Sequence, residues 1–161
     1  MTGTTPVTGT MAPSKKADDA CALFIGGFSC SQAVLASFSE ELGMDKETAY
    51  KISCGFGAGI ARSGNICGTV SGALMVIGLM YGKAVPEDNA ARETTYALVQ
   101  EFLKNYSALH GSVMCPELLG YDMRDPARFA EAKEKKIAAR LCPGLTKDAV
   151  IVLEKVLTAH R

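Results

Sequence analysis

Six cysteines stand among the 161 residues. Four of them, Cys30, Cys67, Cys115 and Cys142, fall where the sequence starts or breaks helices. A thiol in a first turn faces unpaired backbone N–H groups and the positive end of the helix dipole, and both favour the thiolate. Cys67 is the strongest case. It follows the glycine-rich stretch Cys54-Gly55-Phe56-Gly57-Ala58-Gly59-Ile60-Ala61-Arg62-Ser63-Gly64 and opens an uncharged apolar segment that runs to Gly82. Cys30 sits inside Ser29-Cys30-Ser31-Gln32, while Cys115 and Cys142 each precede a proline. Cys21 and Cys54 lie in or at the end of apolar faces, where a cysteine ordinarily serves as a small buried hydrophobe.

The spacing assigns no known cysteine motif. There is no Cys-x-x-Cys, so neither a zinc ribbon nor a thioredoxin-type pair is encoded locally, and any cluster must be assembled by the fold. Two chemistries fit such a cluster. In the first, Cys67 attacks or is oxidised and one of Cys30, Cys115 and Cys142 resolves the mixed disulfide. In the second, the four thiolates of Cys30, Cys67, Cys115 and Cys142 hold zinc or an iron–sulfur cluster. A third reading is a helical interaction protein without catalysis. His110 and His160 are the only histidines, each near the end of a helix, where capping the dipole is the expected role. A His-based site, a Ser/His/Asp set and paired catalytic carboxylates are unsupported.

The elements that must position these thiols read as helices throughout. Ser14 starts a first helix that ends at Gly26-Gly27, with Ala17, Ala20, Cys21 and Phe24 on one face. Ser29 and Gln32 form a capping box for a second, along which Val34, Leu35, Phe38 and Leu42 recur at helical spacing. Asp45 caps a third, whose face includes Ala49 and Ile52. The glycine loop then lets backbones approach closely through Gly55, Gly57, Gly59 and Gly64, and Asn65 is expected to cap the apolar helix beyond it. Gly64, Gly68 and Gly72 at four-residue intervals would bare one strip of backbone to a neighbour. Pro86 opens a long amphipathic helix with Leu98, Phe102, Tyr106 and Leu109 on its inner face. Cys115-Pro116 begins a single turn, and Asp125-Pro126 begins a helix that Cys142-Pro143-Gly144 should break. Thr146 then caps the last helix. The fold expected is an all-α bundle of six or seven helices spanning residues 14–161, preceded by a disordered tail over residues 1–13.

Seventeen basic and seventeen acidic side chains cancel, so no overall field recruits nucleic acid. Residues 20–82 hold seven charges and eleven of the sixteen glycines, which makes the first half core or a homodimer interface. The uncharged runs 20–39 and 63–82 are long enough to span a bilayer, but Gly, Ser, Thr, Asn and Gln dilute them and neither has a clear basic flank, so they read as buried helices. Lys15 and Lys16 are followed by Asp18 and Asp19, unlike a signal peptide. The expected compartment is the cytoplasm, where thiols stay reduced.

The chain resembles the small redox-active bacterial proteins of the C_GCAxxG_C_C family. Cys30 takes the first position, Cys67-Gly68-Thr69-Val70-Ser71-Gly72 a CGAxxG block, and Cys115 and Cys142 the last two. Thr69 departs from that block, which has alanine and therefore no hydroxyl beside the thiol. Read instead as GCAxxG, the block would fall on Gly59-Ile60-Ala61-Arg62-Ser63-Gly64 with isoleucine in place of the cysteine. The resemblance implies redox activity through the four cysteines, with an electron partner or a membrane transporter as the associated protein.

Overall fold

A computed structural model describes residues 14–161. The segment 1–13, read above as a disordered tail, lies outside the described residues. The fold is all-α, as expected, and among the described residues the only β pairing is one isolated bridge, Ile66 to Met114.

Capping chemistry sets most of the early boundaries. Helix α1 (Lys15–Ile25) begins where Ser14 Oγ accepts from the Ala17 amide. Helix α2 (Cys30–Ser39) begins with the full capping box, in which Ser29 accepts from the Gln32 amide and Gln32 accepts from the Ser29 amide. It ends in a short 3-10 turn before Gly43, whose φ of 83° needs glycine. Helix α3 (Lys46–Ser53) is capped by Asp45 and runs into a 3-10 turn over Cys54–Phe56. On α3, Ala49 is fully buried but Ile52 is half exposed, against expectation, and Cys54 is exposed rather than part of a core face.

The glycine loop is the largest departure from the sequence reading. It is helical and left-handed. In α4 (Gly57–Arg62), Ala58, Gly59, Ile60, Ala61 and Arg62 have φ values of 55°, 67°, 60°, 52° and 65°. Left-handed backbone costs an L-residue roughly 1–2 kcal/mol, and four of these five positions carry a Cβ.

Helix α5 (Gly68–Tyr81) follows, with Cys67 instead of Asn65 at its N-cap position. Its residues Val70, Ala73, Val76 and Ile77 are fully buried. Only two rungs of the glycine ladder face α2. A Cβ at Gly72 would stand 2.9 Å from Ser31 O and from Val34 Cβ, whereas Gly64 lies outside the helix against the flexible Arg124 side chain. The α2–α5 packing is the most extensive in the fold, followed by α1 against the last helix.

Helix α6 (Asn89–His110) starts three residues after the expected opener Pro86 and is capped by Asp88, whose carboxylate accepts from the Ala91 amide. Leu98, Phe102 and Tyr106 are buried along it, while Leu109 is partly exposed. The turn α7 (Cys115–Leu119) follows as expected, and helix α8 (Pro126–Glu134), capped by Asp125, starts as expected but ends at Glu134, well short of the expected break.

The break expected at Cys142-Pro143-Gly144 does not occur. Helix α9 (Ile137–His160) passes straight through Pro143, and the chain breaks instead at Lys136, with a φ of 54°. A mid-helix proline loses one hydrogen bond and strains the preceding turn, at roughly 3 kcal/mol. Burial of Leu145, Ala149, Val150, Leu153 and Val156 on the same helix outweighs that, since each large apolar side chain contributes roughly 1.5–3 kcal/mol. Thr146, expected to cap a separate helix, is fully buried within α9. With the left-handed turn and the single turn α7 included, the described residues hold more helical segments than the six or seven expected. No helix among them is long and apolar enough to cross a membrane.

The strain in α4 can be relieved at Ala61, which is exposed and left-handed. Ala61→Gly should raise unfolding stability by about 1 kcal/mol in chemical denaturation, whereas Ala61→Val should lower it by at least as much.

Candidate functional site

Three segments carry the cysteines toward one another. The capping box fixes the start of α2, and buried Ser31 adds a tie when its hydroxyl donates to Ser53 O at 2.8 Å. Gln32 Nε2 donates to Tyr50 O at 3.0 Å, so the Cys30 turn is pinned to α3 as well. Cys67 is held from the other side. Its amide donates to Val113 O at 2.8 Å, and the Cys115 amide donates to Asn65 O at 2.9 Å. This two-rung antiparallel bridge around Ile66 and Met114 brings the starts of α5 and α7 together.

The left-handed turn fills the remaining side. The Asn65 amide donates to Gly59 O at 3.0 Å, and a Cβ at Gly59 would lie 2.8 Å from Cys115 Cβ. The Ala58 amide hydrogen-bonds the Cys30 sulfur. A Cβ at Gly68, the residue after Cys67, would lie 2.4 Å from Cys30 Sγ. Glycine is therefore required there for the two thiols to share a site. Gly57 is close-packed on Ser29 in the same way, and Gly72 on Ser31, but Gly55 has open space around it and supports nothing by contact.

All six cysteines are free thiols. Cys30, Cys67 and Cys115 are buried, Cys142 and Cys21 are half-buried, and Cys54 is exposed. Cys115 and Cys142 belong to a small apolar cluster with Leu119 and Leu145. The structure thus gathers Cys30, Cys67, Cys115 and Cys142, and leaves Cys21 and Cys54 outside. Among the described residues, however, no three His, Cys, Asp or Glu side chains converge as a metal ion would require.

The four thiols are electrostatically unequal. The Cys67 thiol is lowered to about 6, first by the neighbouring Cys30 thiol acting as donor to the thiolate, then by the Thr69 hydroxyl and the Thr69 and Val70 amides. Burial works against that shift and loses to it. The same contact pushes the Cys30 thiol well above the usual range, with burial adding to it. Burial, followed by the charge on Cys67, raises Cys115 and Cys142 to about 12. One thiol of the cluster is anionic near neutral pH and its three neighbours stay protonated.

The Thr69 hydroxyl, read from the sequence as lying beside the thiol, has a partner that the sequence did not mark. Thr69 Oγ1 lies 3.1 Å from Cys67 Sγ and 3.2 Å from Tyr106 Oη. Tyr106 was legible only as one more member of the α6 apolar face. His110 and Asp148 lie beyond it, with His110 Nε2 3.1 Å from Asp148 Oδ2. A cleft of about 300 Å³, lined by Ser29, Cys54, Gly57, Ala58, Ala61 and Arg62, opens beside the residues that flank Cys30.

The sequence pattern described as "Putative redox-active protein (C_GCAxxG_C_C)" matches residues 28–156. The chain belongs to the C_GCAxxG_C_C family. That match takes in the α2 start, the left-handed turn, α5 and the two later cysteines. No curated protein and no solved structure matches the chain.

The thiol assignment predicts a specific titration. The Cβ resonance of Cys67 in cysteine-labelled protein should titrate with a midpoint at about 6, and Cys30→Ala should move that midpoint up toward the ordinary value of 9.0 because the largest donor is gone.

Proposed function

We propose that this member of the C_GCAxxG_C_C family is a thiol–disulfide redox protein in which Cys67 is the nucleophile and Cys30 the resolving thiol. The observation that carries the reading is the approach of these two buried thiols, with Cys30 Sγ lying 2.4 Å from where a Cβ at Gly68, the residue after Cys67, would stand, and with their pKa values pushed in opposite directions. Environments that separate two titrating groups in this way assign them separate roles.

The chemistry follows from the contact. The Cys67 thiolate attacks one sulfur of a substrate disulfide, forming a mixed disulfide and expelling the other half as a thiolate. The negative charge on Cys67 is then gone. That charge and its hydrogen bond are what chiefly hold Cys30 protonated, so Cys30 now gives up its proton to the departing thiolate more easily. The Ala58 amide supports the new Cys30 thiolate. Cys30 attacks Cys67 Sγ and releases the second substrate sulfur as a thiolate, which takes a proton from solvent. The protein ends as a Cys30–Cys67 disulfide, two electrons oxidised, and the substrate as two thiols.

Cys115 and Cys142 stay protonated near neutral pH, so they are candidates for a later exchange with that disulfide rather than for the first attack. The cleft beside Ser29 and Ala58 offers the approach for substrate. A reducing compartment such as the cytoplasm suits the free-thiol state. We read residues 14–161 as one redox domain.

The test is a count of metal and thiols on protein purified without oxygen. The expected result is no stoichiometric metal, and a reversible loss of two thiols on mild oxidation that Cys67→Ser abolishes. One or more metal atoms per chain with the four thiols masked would replace this reading with a metal site. Six thiols that resist oxidation would leave an interaction protein.

A further inference from the structure

Beside the two thiols, the structure buries a pair of hydroxyls whose only visible purpose is directional. Thr69 and Tyr106 are both fully buried, and they touch across the α5–α6 interface through Thr69 Oγ1 and Tyr106 Oη, 3.2 Å apart. Thr69 Oγ1 is also 3.1 Å from Cys67 Sγ. A hydroxyl has one proton to give and two lone pairs to receive. The three atoms therefore share two protons once Cys67 is ionised, and only one arrangement satisfies all of them. Tyr106 donates to Thr69, and Thr69, with its oxygen occupied as an acceptor, donates to the sulfur.

We propose that Thr69 and Tyr106 form a hydroxyl relay that fixes the Thr69 proton on Cys67 Sγ, making Thr69 a positioning residue for the nucleophile and Tyr106 the group that orients Thr69. This inference rests on the reading of Cys67 as the attacking thiol.

The alternative orientation is excluded by the phenol. Were Thr69 to donate to Tyr106 instead, the sulfur would lose its hydroxyl donor and the buried phenol proton would have no acceptor among the contacts the structure gives it. Burial, and after it the Cys67 charge, hold the phenol protonated well above its usual range, so Tyr106 is a permanent donor. Chained hydrogen bonds of this kind polarise one another in a low-dielectric interior. Alanine, with no hydroxyl, could not make either contact.

The groups facing Cys67 are Cys30 from α2, Thr69 and the amides of α5, Tyr106 from α6, Cys115 from α7 and Cys142 from α9, with His110 and Asp148 behind Tyr106. Only Thr69 and Tyr106 can be altered without touching a thiol.

The test follows alkylation of Cys67 by a small reagent, read from the mass of its peptide, between about pH 5 and pH 9. Thr69→Val keeps the shape and removes the donor, and should raise the pH midpoint by roughly one unit. Thr69→Ser should keep the wild-type midpoint. Tyr106→Phe keeps the ring and should raise the midpoint by less, because Thr69 remains but is free to turn away. Equal midpoints for wild type, Thr69→Val and Tyr106→Phe would overturn the relay while leaving the nucleophile in place. Equal shifts in Thr69→Val and Thr69→Ser would also overturn it, since packing would then be the cause. A wild-type midpoint at the ordinary thiol value would instead remove the reading of Cys67 on which the relay rests. Should Thr69→Val fail to fold, Tyr106→Phe and Thr69→Ser still decide the matter.

Discussion

An anionic sulfur in a buried site is the constraint on which the rest of this structure depends. Desolvation alone would drive Cys67 toward the neutral thiol, as it does Cys115 and Cys142. Cys67 differs because donors surround it. The Cys30 thiol, the Thr69 hydroxyl and two amides at the start of α5 converge on one atom. Each donor comes from a different structural decision. Cys30 depends on the capping box of α2, the amides on Cys67 being the residue at which α5 begins, and the hydroxyl on the packing of α5 against α6.

The left-handed turn is the second consequence of that constraint. Four side-chain-bearing residues in an unfavourable backbone region persist only where the surroundings over-determine them. Here the turn meets the site on two sides at once. It presents the Ala58 amide to Cys30 and brings the bare Cα of Gly59 against Cys115. A right-handed or extended path would take the Ala58 amide away from the Cys30 sulfur. The strain therefore falls where the backbone meets the Cys30 sulfur.

The parts of the fold legible in the sequence are those whose chemistry is local. Ser14, Ser29 with Gln32, Asp45 and Asp125 mark helix starts because their side chains bond amides two or three residues on, and the structure has helices at all four. The parts that were illegible depend on distant neighbours. Pro143 reads as a break, yet the apolar face of α9 carries the helix through it. Asn65 reads as a cap, yet its backbone is committed to Gly59 and Cys115, which moves the helix start to Cys67. A run of glycines signals unusual backbone without revealing its hand, so the left-handed turn could not be read. The four cysteines were marked by their placement at helix starts and breaks and by the family resemblance, with no local motif, and Tyr106 had no signal that set it apart from an apolar face.

The most direct test of the account is the identity of the first disulfide. The protein is oxidised under mild, limiting conditions, digested without reduction, and the joined peptides are identified by mass. Cys30 and Cys67 should be joined first, because they are neighbours in one buried site and only one of them is a thiolate. A first bond between Cys115 and Cys142, or one that uses Cys21 or Cys54, would contradict it.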